Sequence, residues 1–117
     1  MGSVVQHLDP LDLEERAGEV ATVLRALANE RRLMILCRLV ADGEANVTTL
    51  VEAVGLSQSA LSQHLAKMRD EGIVTFRRES QTLWYRIADP RIEQLLGMFH
   101  AVFCAPPGRT TRGRKRA

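Results

Sequence analysis

The sequence predicts one mainly α domain carrying a single β-hairpin, and three observations support this. Apolar residues recur every three or four positions in five stretches, the mark of helices with one buried face. After Gly72 that period gives way to two short runs rich in β-branched and aromatic residues, which read as strands. Asp9-Pro10, Ser57 and Asp89-Pro90 each precede a helical stretch, as capping residues should.

Taken in order, Asp9 caps and Pro10 starts a first helix that runs to Ala28. Its stripe of Leu13, Ala17, Val20, Val23, Leu24 and Leu27 is expected to be buried. Asn29 breaks that helix. A second helix over 30–40 is expected to turn Leu33, Leu36, Cys37 and Val40 inward, and the polar, glycine-containing run 42–46 ends it. A short third helix over 47–54 offers Leu50, Val51 and Val54, and Gly55-Leu56-Ser57 joins it tightly to a fourth. Ser57 caps this fourth helix and Gly72 stops it. Leu61, Leu65 and Met68 fall on one of its faces, with Ser59, Ser62, Gln63 and Lys67 on the other. Two short helices joined by so tight a turn form a helix-turn-helix, in which the second helix reads.

Strands follow over 73–78 and 83–87, separated by a polar tip at Glu79-Ser80-Gln81-Thr82. Arg77, Arg78 and Arg86 lie on or beside this hairpin, as a wing laid against phosphates requires. A last helix begins at Asp89-Pro90 and runs to about Cys104, with Ile92, Leu95, Leu96, Phe99 and Phe103 in one stripe and Val102 beside it. Pro106-Pro107 ends it. The whole is a winged helix-turn-helix in the order helix-helix-helix-helix-strand-strand-helix. The first and last helices are apolar on one face yet stand outside the reading unit, so they are the expected interface of a two-fold dimer on an inverted repeat.

Composition narrows the class. The 117 residues are 45% hydrophobic, in the range of globular domains, and no apolar run approaches the roughly 20 residues of a membrane span. The opening residues lack a basic start and a long apolar core, so a cytoplasmic protein is expected. There the two cysteines, Cys37 and Cys104, are thiols by default. The net charge of +2 hides an asymmetry. Residues 106–117 hold five of the 16 basic residues and none of the 14 acidic ones, so the rest of the chain is slightly acidic. The expected organisation is a flexible leader over 1–8, the domain over 9–105, and a disordered basic tail over 106–117. The tail would serve equally well for phosphate attraction or for solubility.

The polar face of the fourth helix is unusual for a solvated surface. It presents hydroxyls, carboxamides and an imidazole, groups that donate to and accept from base edges in a major groove. Gln58, Ser59, Ser62, Gln63, His64 and Lys67 are the candidate DNA contacts there, with Arg77 and Arg78 on the wing. His7 and His100 receive no role.

Leu27-Ala-Asn-Glu-Arg-Arg-Leu-Met-Ile-Leu36, together with Leu56-Ser-Gln-Ser-Ala-Leu-Ser-Gln-His-Leu65 and the wing, resembles the ArsR/SmtB family of bacterial winged-helix repressors. The resemblance spans roughly residues 12 to 104. It implies a dimer whose fourth helix, about Gln58 to Glu71, enters the major groove, and repression that an inducer relieves. By position it places Gln58, Ser59, Ser62, Gln63 and His64 on bases or nearby phosphates. Metal-sensing members carry cysteines at the start of the third helix or Asp, His and Glu ligands along the last. Residues 44–50 contain no cysteine, Arg91 stands where a histidine is expected, and Phe103 follows His100 where another ligand belongs. No metal site and no cofactor are expected.

The cysteines are similar in position to those of the BigR/SqrR/HlyU branch of redox and persulfide sensors. That resemblance implies that oxidation bridges Cys37 and Cys104, through a disulfide or a polysulfide, and so releases operator DNA. Cys37 is expected to be the first nucleophile, with a lowered pKa, because Cys104 ends a helix whose dipole disfavours an anion. Three alternatives stand beside this reading. One is a repressor in which the same thiols, with His100, take As(III) or another metal ion. Another is a thiol-dependent enzyme, opposed by the absence of any Cys-x-x-Cys or glycine-rich phosphate loop. The third is a winged helix that serves only as a protein-interaction module.

Overall fold

A computed structural model describes residues 10–104; the cap at Asp9, the stop at Pro106-Pro107, the leader and the basic tail lie outside the described residues. The chain forms α1 (Pro10–Glu15), α2 (Ala17–Leu27), α3 (Glu30–Asp42), α4 (Val47–Val54), α5 (Gln58–Asp70), β1 (Val74–Glu79), β2 (Thr82–Ile87) and α6 (Pro90–Phe103). This is the expected winged helix-turn-helix order, except that the first helix is split in two. At Arg16 the amide bonds the Leu13 carbonyl three residues back, at 3.1 Å, instead of continuing the i−4 ladder. The Arg16 guanidinium then turns onto the Glu19 carboxylate at 2.9 Å, in the first turn of α2.

Local chemistry sets the other ends, at Ser57, Asp89 and Gly72 as the sequence predicts and at Asn29 and Asn46 through caps it did not assign. Ser57 accepts a hydrogen bond from the Ala60 amide at 3.1 Å, and Asp89 accepts one from the Arg91 amide at 2.9 Å. Asn29 and Asn46 cap α3 and α4 through the amides of Arg32 and Thr49. Gly55 and Gly72 both take φ of 78°, a left-handed conformation that side-chain-bearing residues rarely adopt, which stops α4 and turns the chain after α5.

The core sits where α3, α4 and α5 meet the hairpin. Ile35, Leu36, Leu39, Leu50, Leu61, Leu65, Met68 and Val74 are essentially inaccessible to water. The strands pair antiparallel from Val74 opposite Ile87 to Glu79 opposite Thr82, around a Ser80-Gln81 turn. Ala45 also exchanges two backbone hydrogen bonds with Tyr85, of 3.0 and 2.9 Å. This pins the α3–α4 loop to the outer edge of β2, a contact the sequence reading did not anticipate.

Two expected faces are corrected by the packing. In α3 the buried set is Arg32, Ile35, Leu36 and Leu39, while Cys37 and Val40 are exposed and Leu33 is half-buried. The run Leu33-Met-Ile-Leu-Cys37 is apolar all round, so its period alone could not choose the inward side. In the first stripe only Leu27 is fully buried. Leu13, Val20 and Leu24 are open to water, as are Met98, Val102 and Phe103 of α6.

Candidate DNA-reading face and thiol pair

The reading helix α5 is held by three apolar anchors on one side, Leu61, Leu65 and Met68, each at zero exposure. Placing them inward forces the opposite side outward. Gln58, Ser59, Ser62, Gln63 and Lys67 are all exposed, and His64 is half-buried. Six of the eight candidate contacts thus share one helix. At its far end the Arg69 guanidinium lies 4.9 Å from the centre of the Phe76 ring, and Phe76 meets Tyr85 edge-on at 5.4 Å. Such cation–π contact ties the end of the reading helix to the wing.

The two wing arginines differ. Arg78 is exposed and makes no ion pair among the described residues. Arg77 is occupied: its guanidinium grips Glu44 at 2.9 Å and Glu79 at 3.2 Å and stacks on Trp84 at 5.8 Å. The Arg77 hydrogen bonds hold the Glu44 carboxyl below its usual pKa, and Glu44 in turn raises that of Arg77. Glu44 was not singled out from sequence, because a partner 33 residues away leaves no local signal.

A second set of ion pairs joins the helices behind the reading head. Arg91, at the start of α6, bonds Asp89 at 2.7 Å and also reaches Glu19 of α2. These contacts lower the pKa of Asp89 through Arg91, and that of Glu19 through Arg16 first and Arg91 second. Arg91, standing where a metal ligand was looked for, therefore serves as an electrostatic bolt. Among the described residues no group of three or more His, Cys, Asp or Glu side chains converges to hold a metal ion.

Both cysteines are free and exposed, Cys37 on the outer face of α3 and Cys104 as the residue that ends α6. α3, which carries Cys37, and α6, which Cys104 ends, pack against each other. The expected lowering of the Cys37 pKa is not found. Although part of its surface is open, neighbouring atoms desolvate the thiolate and push the pKa up, and Cys104 adds to that rise. The sequence could not foresee this, because the atoms that desolvate Cys37 are set by the packing of α3 against the rest of the domain.

Comparison with known proteins agrees with this geometry. Residues 29–75, from the α3 cap to β1, match the "Bacterial regulatory protein, arsR family". The chain is 41% identical over 93 residues to the transcriptional activator HlyU of Vibrio cholerae, covering 80% of this chain and 85% of that protein. Among solved structures, the repressor BigR of Xylella fastidiosa superposes with a TM-score of 0.78 at 38% identity, covering 85% of this chain and all of BigR. The antimony-specific repressor AntR superposes with a TM-score of 0.74 at 33% identity, covering 85% of this chain and 88% of AntR. The exposed reading helix, the wing and these relatives together place the chain in the ArsR family, matching its HlyU/BigR branch, as a DNA-binding transcriptional regulator and not an enzyme.

Proposed function

We propose that the chain is a dithiol-switched repressor. As a homodimer it binds an inverted-repeat operator while Cys37 and Cys104 are reduced, and it releases the operator when reactive sulfur or an oxidant bridges them. The observation that carries this reading is that the only two cysteines of the chain, far apart in sequence, are free and exposed on two helices that pack against each other.

A persulfide donor supplies the oxidising equivalents. One protein thiolate bonds the donor's outer sulfur and expels the donor thiolate, leaving a protein persulfide. The second protein thiolate attacks the protein-bound sulfur of that persulfide, closing the disulfide and expelling hydrosulfide. Two electrons pass from the two thiols to the sulfur that leaves as sulfide. If a second donor molecule has converted the other thiol to a persulfide as well, the outer sulfur of one persulfide attacks the protein-bound sulfur of the other, expels hydrosulfide and leaves a trisulfide bridge instead. Either bridge ties α3 to the end of α6. Coupling of about 1–3 kcal/mol, common in allostery, weakens binding by roughly 5- to 150-fold.

On DNA, Gln58, Ser59, Ser62, Gln63 and His64 meet base edges or nearby phosphates, while Lys67 and Arg78 neutralise phosphates and Arg77 joins them only when it leaves Glu44. The similarity to AntR favours a second reading, in which the same thiols bind a trivalent metalloid.

The test is a titration of a fluorescent operator, obtained by selection from a random-sequence pool, with chelator present throughout. Persulfide-treated and desalted protein should bind about tenfold or more weakly than reduced protein, and only when both cysteines are present. Equal binding in the two states would sink sulfur sensing while leaving the DNA-binding fold intact. Release by antimonite or arsenite alone would establish the second reading.

A further inference from the structure

The one charged side chain buried among the described residues is Arg32, only 8% exposed. It lies in the first turn of α3, where the Asn29 side chain accepts a hydrogen bond from its amide at 3.0 Å. Its guanidinium donates to the Ala26 carbonyl in the last turn of α2 at 3.1 Å. It also grips both carboxylate oxygens of Glu71, at 2.9 and 3.3 Å. Glu71 is the residue that ends the reading helix α5. A single guanidinium thus joins α2, α3 and α5.

Both charges stand against their own helices. A cation in a helix's first turn and an acid at a helix's last residue are each disfavoured by the helix dipole. Neither position is explained by local stability, and each is explained by the other. A bidentate Arg–carboxylate pair also fixes angle as well as distance, which a nonpolar contact does not.

From this we infer that Arg32 and Glu71 are positioning residues for operator reading: their clamp sets the angle of the reading helix against α2. This rests on the operator-binding dimer proposed above. There α2 would belong to the surface joining two copies, so its angle to α5 fixes the span between the two reading helices. Half-site spacing is a geometric demand of this kind of recognition.

The test compares full-length Glu71→Ala and Glu71→Gln with the unaltered chain on the selected operator and on unrelated duplex DNA. Fold and thermal stability are monitored in parallel. Plain electrostatics gives the opposite sign to the clamp, since removing an acid from a DNA-binding protein tightens attraction to phosphates. We expect Glu71→Ala to lose about tenfold in operator affinity, the order of one mismatched base pair, while unrelated DNA is bound as well or better. Glu71→Gln, which still accepts from Arg32, should recover most of the loss. Operator binding unchanged or tighter in a folded Glu71→Ala protein would overturn the inference. So would an equal loss on both DNAs. Failure of the unaltered chain to select any operator would instead count against the proposed function.

Discussion

Cys37 shows how a residue's reactivity departs from what its chain neighbours suggest. Arg38 is next to it in sequence but is spent on Asp42, and the group that acts on Cys37 is Cys104, from the far end of the chain. Removing that neighbour's charge should therefore lower the Cys37 pKa, towards its ordinary value but not to it, because burial is the larger cause of the rise. In a Cys104→Ser protein the pH profile of Cys37 alkylation by iodoacetamide should move to lower pH. Cys37 should then react faster at a fixed mildly alkaline pH. A profile that stays in place would mean that the thiols do not sense each other, and would weaken the proposed switch. At this same scale the caps of α5 and α6 were legible. Ser57 and Asp89 act on amides two or three residues away, so a sequence window holds all that is needed. Arg32 with Glu71 and Arg77 with Glu44 were not, because each pair closes over more than 30 residues.

Among the elements, the wing was predicted correctly as a hairpin and incompletely as a binding surface. Its register follows from alternation, which sends Tyr85 and Ile87 inward and Arg86 outward. The binding of Arg77 by the α3–α4 loop depends on Ala45 docking beside Tyr85, which brings Glu44 within reach. Glu44 therefore competes with phosphate for Arg77. Replacing it, as Glu44→Ala, should tighten binding to duplex DNA by about fivefold at low salt. It should also steepen the dependence of log affinity on log salt by about one, the signature of one more phosphate contact. An unchanged salt slope would show that Arg77 does not turn to DNA when released. Helix α3 makes the complementary point. Its existence was readable, but its inward face was not, because apolar residues surround it and only the positions of α4, α5 and the hairpin choose among them.

For the whole molecule, the exposed apolar residues of α1, α2 and α6 support pairing of two copies. Leu13, Val20 and Leu24 on one side and Met98, Val102 and Phe103 on the other are between 38% and 81% exposed. A solvated apolar surface of that extent marks an interface. The sequence assigns both helices to a two-fold interface, and the first stripe, expected to be buried, would be covered by a second copy. The full-length chain should sediment as a dimer. Leu24→Glu should sediment as a monomer that keeps its helical content but binds the operator about 100-fold more weakly, because one reading head loses the other. A Leu24→Glu protein that remains dimeric would move the interface elsewhere.

The sequence by itself determined the order of the elements apart from the break at Arg16, the starts of α5 and α6, the hairpin, and the split of α5 into an apolar side and a polar reading side. These follow from interactions among residues within a few positions of one another, and from the repeat of apolar residues along a helix or strand. Tertiary structure alone decided which side of α3 is buried, that Arg77 is held by Glu44, that Arg32 joins three helices through Glu71, and that α6, which Cys104 ends, packs on the helix of Cys37. Each of those contacts closes a long loop of chain, and no residue type within the loop fixes where its two ends will meet.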